Sequence, residues 1–149
     1  MKLQQLLLIM SAMMTLTSCT SHNTQVLNSS EPLDLTHSKI AAQEYWVAAK
    51  LVSPKYPVAN ARHKIAGCSR FKLSINSNGE TVDTELIESY PNNKFVAPSQ
   101  GALKQWLWTP TDQNEARKAI TRLVQLDFYM TDAKNYAQAK RHCAVGTQY

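Results

Sequence analysis

Two alternating runs on either side of an Asn-Ser-Asn-Gly turn commit this chain to a β-hairpin. Phe71, Leu73 and Ile75 fall on one side of the first run, with Arg70, Lys72, Ser74 and Asn76 on the other. That period of two is the signature of a half-buried strand. Asn76-Ser77-Asn78-Gly79 supplies turn residues, and Asn78-Gly79 tolerates the positive φ that tight hairpins use. Residues 81–89 return as the partner strand, with Val82, Thr84, Leu86 and Glu88 on one face and Ile87 on the other. A third β-run covers residues 120–130, where Ile120, Arg122, Val124, Leu126, Phe128 and Met130 alternate with Thr121, Leu123, Gln125, Asp127 and Tyr129.

A half-buried sheet needs a cover, and helical patterns supply it. A helix is predicted from Ser38, with Ile40, Ala41, Tyr45, Ala48 and Leu51 or Val52 at helical spacing. Ser53-Pro54-Lys55-Tyr56-Pro57 ends it, and Pro57 then opens a short helix over residues 58–65, closed by Gly67. Residues 95–106 form another helix, with Phe95, Ser99, Ala102, Leu103 and Trp106 on one stripe and Pro110 at its irregular exit. Residues 132–142 form a last one. This order predicts an α+β fold: a small three-stranded antiparallel sheet with helices packed on one face. Three strands leave two edges of unpaired backbone groups, which must be covered or partnered.

The N-terminus carries an address. Lys2, the apolar segment 3–14 and Leu16-Thr17-Ser18-Cys19 have the layout of a secretory signal, and the apolar part is too short for a membrane span. The last four residues resemble a bacterial lipobox, so residues 1–18 are expected to be a lipoprotein signal peptide and Cys19 the lipidated residue. Residues 19–37 are polar and read as a flexible tether, and residues 38–149 as the folded domain. Removing residues 1–18 takes away one Lys and leaves 15 basic and 11 acidic side chains, net +4. The basic residues are scattered and the address is periplasmic, which argues against nucleic acid as a partner. Lipidation also leaves an even pair of thiols, Cys68 and Cys143, expected to join as a disulfide in an oxidising compartment. The competing use, a metal site from Cys143 beside His142 with His63 near Cys68, lacks a recognised ligand spacing.

Nothing in the chain frames a catalytic site. Ser69, Ser89 and Ser99 lack a Gly-x-Ser-x-Gly elbow, and no histidine stands in a recognisable catalytic frame. The acid pairs Glu80/Asp83 and Glu85/Glu88 sit on the hairpin as solvent-facing positions. With four glycines in the chain, no phosphate-cradling loop appears and no cofactor is implied.

Tyr56-Pro57, Ala61, Gly67, the strand from Phe71 to Ile75, Gly79-Glu80-Thr81-Val82, Ser89, Phe95, Ala102 and Trp106-Leu107-Trp108-Thr109-Pro110 stand in an order that resembles the C-terminal domain of TonB, over residues 53–130. The resemblance implies a non-enzymatic periplasmic binding module. Its last strand would pair with an extended peptide of an outer-membrane TonB-dependent transporter or another envelope protein, which marks Arg122, Val124, Gln125, Leu126, Asp127 and Phe128 as the partner-binding strand. The family carries an N-terminal transmembrane helix and a long Pro-rich spacer. Here a lipobox stands in place of the helix, and the tether holds one proline, Pro32. Thr20 after the lipidated cysteine, rather than Asp, points to the outer membrane. The alternative is an envelope scaffold that binds peptidoglycan or an assembly partner, with no role in transport. The open edge also suits pairing with a second copy of the chain.

Overall fold

The structure is a computed structural model that describes residues 31–145. The expected signal peptide and Cys19 lie outside the described residues. In chain order the elements are β1 (Leu33–Asp34), α1 (Lys39–Tyr45), β2 (Trp46–Lys50), α2 (Val58–His63), β3 (Gly67–Ile75), β4 (Thr81–Tyr90), α3 (Val96–Leu103), β5 (Leu107–Pro110), β6 (Ile120–Phe128) and α4 (Tyr136–Val145), with single 3-10 turns at Asn93–Phe95 and Asp112–Asn114. They build a four-stranded sheet in the order β1-β6-β3-β4 and a separate two-stranded ribbon, β2-β5.

The expected antiparallel trio is present as β6-β3-β4, but the sheet is mixed. β1 adds to β6 in parallel, pairing Leu33 with Ile120 and Asp34 with Thr121. The segment read as the end of a tether therefore belongs to the fold, and Leu35 buries its side chain in the core. Leu33 and Leu35 are too few to register as a strand by periodicity. They are ordered by a backbone partner 87 residues away in sequence, the separation between Asp34 and Thr121.

The hairpin closes on Gly79 at φ +79°, where glycine carries no Cβ penalty. Phe71, Leu73 and Ile75 are fully buried, opposite Val124, Arg122 and Ile120 of β6. This face packs on Trp46, Phe95, Leu103, Trp106 and Trp108. Each indole N–H finds an acceptor: Trp46 donates to the Lys118 carbonyl, Trp106 to the Val52 carbonyl and Trp108 to the Thr81 hydroxyl. Large aromatics are thereby buried without stranding a donor.

Three expectations need correction. The first helix stops at Tyr45, and Trp46–Lys50 continues as β2, because pairing with β5 outweighs the helical spacing of Ala48 and Leu51. Trp106-Leu107-Trp108-Thr109 is an alternation rather than a helix exit: both tryptophans are buried, while Leu107 is exposed. Helices do not keep to one face either. Cys68 lies on the opposite face of β3, where Cys143 of α4 meets it with Cα atoms 6.0 Å apart. On the same face Ala133 and Ala139 pack with Ala66.

At β1 the Asp34 carboxylate accepts hydrogen bonds from the Thr36 amide (2.9 Å) and the Thr121 hydroxyl (3.2 Å). The Thr36 amide, first among these, holds its pKa below the ordinary 3.8. A depressed carboxylate contributes stability that is fully present above 3.8 and is lost as pH falls through the lower folded value. Acidification should therefore release β1 before the sheet. The protection factor of the Leu35 amide should fall below about pH 4 while that of Phe71 holds. Equal protection of both down to about pH 2 would refute this.

Candidate functional site

The last strand of the sheet has an edge that its own chain covers only at one end. β1 gives its amides to β6: Leu33 N–H to the Ala119 carbonyl and Leu35 N–H to the Thr121 carbonyl, both at 2.9 Å. The chain then leaves the edge. The Asp34–Thr36 turn bends it away, and Ser38 caps α1 by accepting the Ala41 N–H, one of the orphan donors at a helix start. The N–H and C=O of one strand residue point to the same side, and sides alternate along the strand. Since Ala119 and Thr121 face β1, the next outward residues are Leu123, Gln125 and Asp127. No strand among the described residues pairs with them on that side.

The six residues expected to bind a partner divide by this parity. Arg122, Val124, Leu126 and Phe128 turn their backbone groups to β3, opposite Leu73, Phe71, Ser69 and Gly67. Leu126 and Phe128 are buried in the core and hold the strand in place. Gln125 and Asp127 offer backbone outward. The Gln125 side chain donates to the Asp127 carboxylate (2.8 Å) and to the Cys143 carbonyl (2.9 Å) on the α4 face. Leu123, the third outward residue, was missed by the sequence reading, although its place in the alternation carries the signal.

Beside this edge runs a groove of about 640 Å³. Arg122 to Gln125 form one wall, Lys39 and Gln43 of α1 with Val47 and Leu51 form the other, and the three core tryptophans form the floor. Val47 and Leu51 are exposed large apolar side chains. Among the lining residues two are cationic, Lys39 and Arg122, and none is acidic. Arg122 is only 7% exposed. Its guanidinium carbon lies 5.0 Å from the Trp108 ring centre, within cation–π range. Its buried Nε has no hydrogen-bond partner, and it takes part in none of the ion pairs among the described residues. Burial pushes its pKa down from the usual arginine value.

The other chemistry-bearing residues are engaged structurally. Ser69 and Ser99 share a buried hydroxyl–hydroxyl bond of 2.7 Å between β3 and α3, and Ser89 donates to the Asn92 carbonyl at 2.8 Å. His142 lies 2.6 Å from the Glu88 carboxylate, which also pairs with Arg70 at 2.7 Å, and it stacks on Tyr90. The Cys143 sulfur is bonded to Cys68. None of these residues lines the groove.

The family model for the Gram-negative bacterial TonB protein C-terminal region matches residues 52–130, from the segment before α2 to just past β6. The chain belongs to this TonB C-terminal family. The solution NMR structure of the Pseudomonas aeruginosa TonB C-terminal domain is similar at a TM-score of 0.50 and 20% identity, covering 58% of this chain and 88% of that one. That likeness speaks for the fold. No curated protein matches the chain. The TonB-like region takes in α2, α3, the β3-β4-β6 trio and β5, whereas β1, α1, β2 and α4 lie outside the matched residues. The groove's second wall is thus built from segments outside the matched region, since Lys39, Gln43, Val47 and Leu51 all precede residue 52.

Proposed function

We propose that this TonB-like domain is a non-enzymatic binding module that takes an extended peptide of an outer-membrane transporter, or of another envelope protein, as an added strand along β6. The observation that carries the reading is the open edge at Leu123, Gln125 and Asp127 beside an apolar groove. Three outward residues offer up to about six backbone hydrogen bonds, each worth about 1 kcal/mol net. Apolar groove walls then select alternate side chains of the peptide, because a strand presents every second residue to one face.

Proline substitution tests this, because it removes an edge donor that the sheet itself does not use. Gln125→Pro and Asp127→Pro should keep the far-ultraviolet dichroism of wild type. Each should weaken binding of peptides from the periplasm-facing termini of the host's transporters by about tenfold or more, the loss expected for roughly 1.4 kcal/mol. Folded variants that bind as tightly as wild type would move the docking site elsewhere. A second copy of the chain competes for the same edge. A monomer–dimer equilibrium abolished by Asp127→Pro would show that the edge serves self-pairing.

The lipobox supports anchoring of the mature domain through acylated Cys19 in the periplasm, at the outer membrane given Thr20. Metabolic labelling with a fatty-acid analogue should mark wild type and not Cys19→Ala, and equal labelling of the two would remove the anchor from the reading. The net charge of +4 after residue 18 favours, as a second reading, an envelope scaffold on anionic peptidoglycan. Co-sedimentation with purified sacculi that disappears with rising salt, together with no transporter peptide bound, would select it.

A further inference from the structure

Arg122 is an arginine in a core register, and the fold gives it no anion. It faces the same side as Ile120, Val124, Leu126 and Phe128, with Trp108 beneath its guanidinium and its Nε unbonded. Burying a charge without an ion-pair partner is unfavourable, and an aromatic face offsets only part of that cost. A buried charge lacking its partner is more easily understood as one side of a pair completed on binding. Arg122 lines the groove along the β6 edge, where Lys39 adds a second positive charge and no lining residue is acidic.

We infer that Arg122 and the groove select a peptide strand carrying an Asp or Glu side chain, which pairs with the Arg122 guanidinium when the strand adds to β6. This deepens the strand-addition reading and rests on it. The register follows from the pleat. A peptide residue placed beside Arg122 or Val124 points its side chain to the groove face, and so do its neighbours two residues away. The ligand pattern is therefore an acid with apolar side chains at two-residue spacing on the side away from β1, which meet Val47, Leu51 and the tryptophan floor. A planar fork suits a carboxylate held in two parallel hydrogen bonds, whereas a lysine would offer only a point charge. The commitment is to a side-chain carboxylate: β1 occupies the edge up to Thr121, so the added strand runs from Arg122 toward Asp127 and places its acid at the Arg122 end of the groove.

The test uses a phage-displayed library of random twelve-residue peptides, selected on the domain, with the winners resynthesised. Wild type should enrich one Asp or Glu at a fixed position with apolar residues two places away. Changing that Glu to Gln should weaken binding tenfold or more on wild type and less than twofold on Arg122→Met, which should melt no lower than wild type because a buried unpaired charge has been removed. Arg122→Lys should recover only part of the preference. Winners that show no acid preference, yet are blocked by Asp127→Pro, would overturn the role of Arg122 and leave strand addition standing. Winners indifferent to Asp127→Pro, or an empty selection, would overturn strand addition and this inference with it. Loss of binding on amidating the peptide C-terminus, with the internal Glu dispensable, would also overturn it by making the chain-end carboxylate the ligand. Should Arg122→Met fail to fold, the Glu-against-Gln comparison on wild type decides alone.

Discussion

Gly67→Ala is expected to leave the domain largely unfolded at growth temperature. Gly67 begins β3, and a Cβ built there would stand 1.9 Å from the Tyr90 carbonyl oxygen, 2.6 Å from Phe95 Cε2 and 2.9 Å from Pro91 Cδ. Two of these neighbours have no freedom to yield. The carbonyl belongs to the backbone of β4 where Cys68 pairs with Tyr90, and the Phe95 ring is fully buried, stacked on Phe128 with centroids 4.5 Å apart. Relief therefore means parting β3 from β4 at its end or expelling an aromatic from the core. Overpacking of this kind lies in the tail of mutational effects, above about 4 kcal/mol. For a domain of this size that lowers the melting temperature by roughly 15 °C or more. Gly101→Ala is the control of opposite sign. Its Cβ meets nothing within 4 Å, and it lies inside α3, where alanine is favoured by about 0.5–1 kcal/mol. Thermal unfolding of the two variants beside wild type checks both signs. A Gly67→Ala protein that melts within a few degrees of wild type would show that the strand entry is far more compliant than its packing suggests.

The elements legible in the sequence were those whose signal is local. Phe71, Leu73 and Ile75 alternate against charged neighbours and end in Asn-Gly, so the hairpin and its turn could be read from a dozen residues. β6 was equally plain through Ile120, Val124, Leu126 and Phe128. What escaped was pairing at a distance. β1 is two residues long and is defined by Ala119 and Thr121. β2 was lost because Ala48 and Leu51 happen to continue the spacing of α1, and only β5 reveals it as a strand. The candidate site divides in the same way. The strand itself was legible from its alternation, and Arg122 was visible as the one charged residue in an apolar register. Its wall of Lys39, Val47 and Leu51 was not, because that wall depends on the β2-β5 ribbon folding across the sheet. The far face was missed although a signal was present: Cys68 shares the register of Arg70 and Lys72, opposite Phe71, once β3 is extended back to Gly67, so a helix tied to it through Cys143 returns on the other face.

The second large effect is expected at α4. The Cys68–Cys143 link joins the entry of β3 to the helix across 75 residues of sequence. Besides it the helix region has modest holds: Asn135 exchanges two hydrogen bonds with the Ala66 backbone at 2.8 and 2.9 Å, Ala139 packs with Ala66, and His142 meets Glu88 and Tyr90. Closing residues 68–143 into a loop removes about 4.5 kcal/mol of unfolded-chain entropy by the loop model, and losses on removing such links are commonly about 2–4 kcal/mol. The double variant Cys68→Ser/Cys143→Ser, which removes both thiols of the pair, should lose that amount in denaturant titration. Amide exchange should show where: α4 opens first, while β3 and β4 stay protected, because few apolar side chains hold the helix once the covalent link is gone. Peptide capture at β6 should survive in the folded fraction, since the groove lies on the opposite face of the sheet from α4. Thiol counting in freshly purified wild type should find neither Cys68 nor Cys143 free. Two alkylatable thiols there, or a double variant as stable as wild type, would mean that α4 docks through Ala66, Tyr90 and Glu88 without a covalent tie.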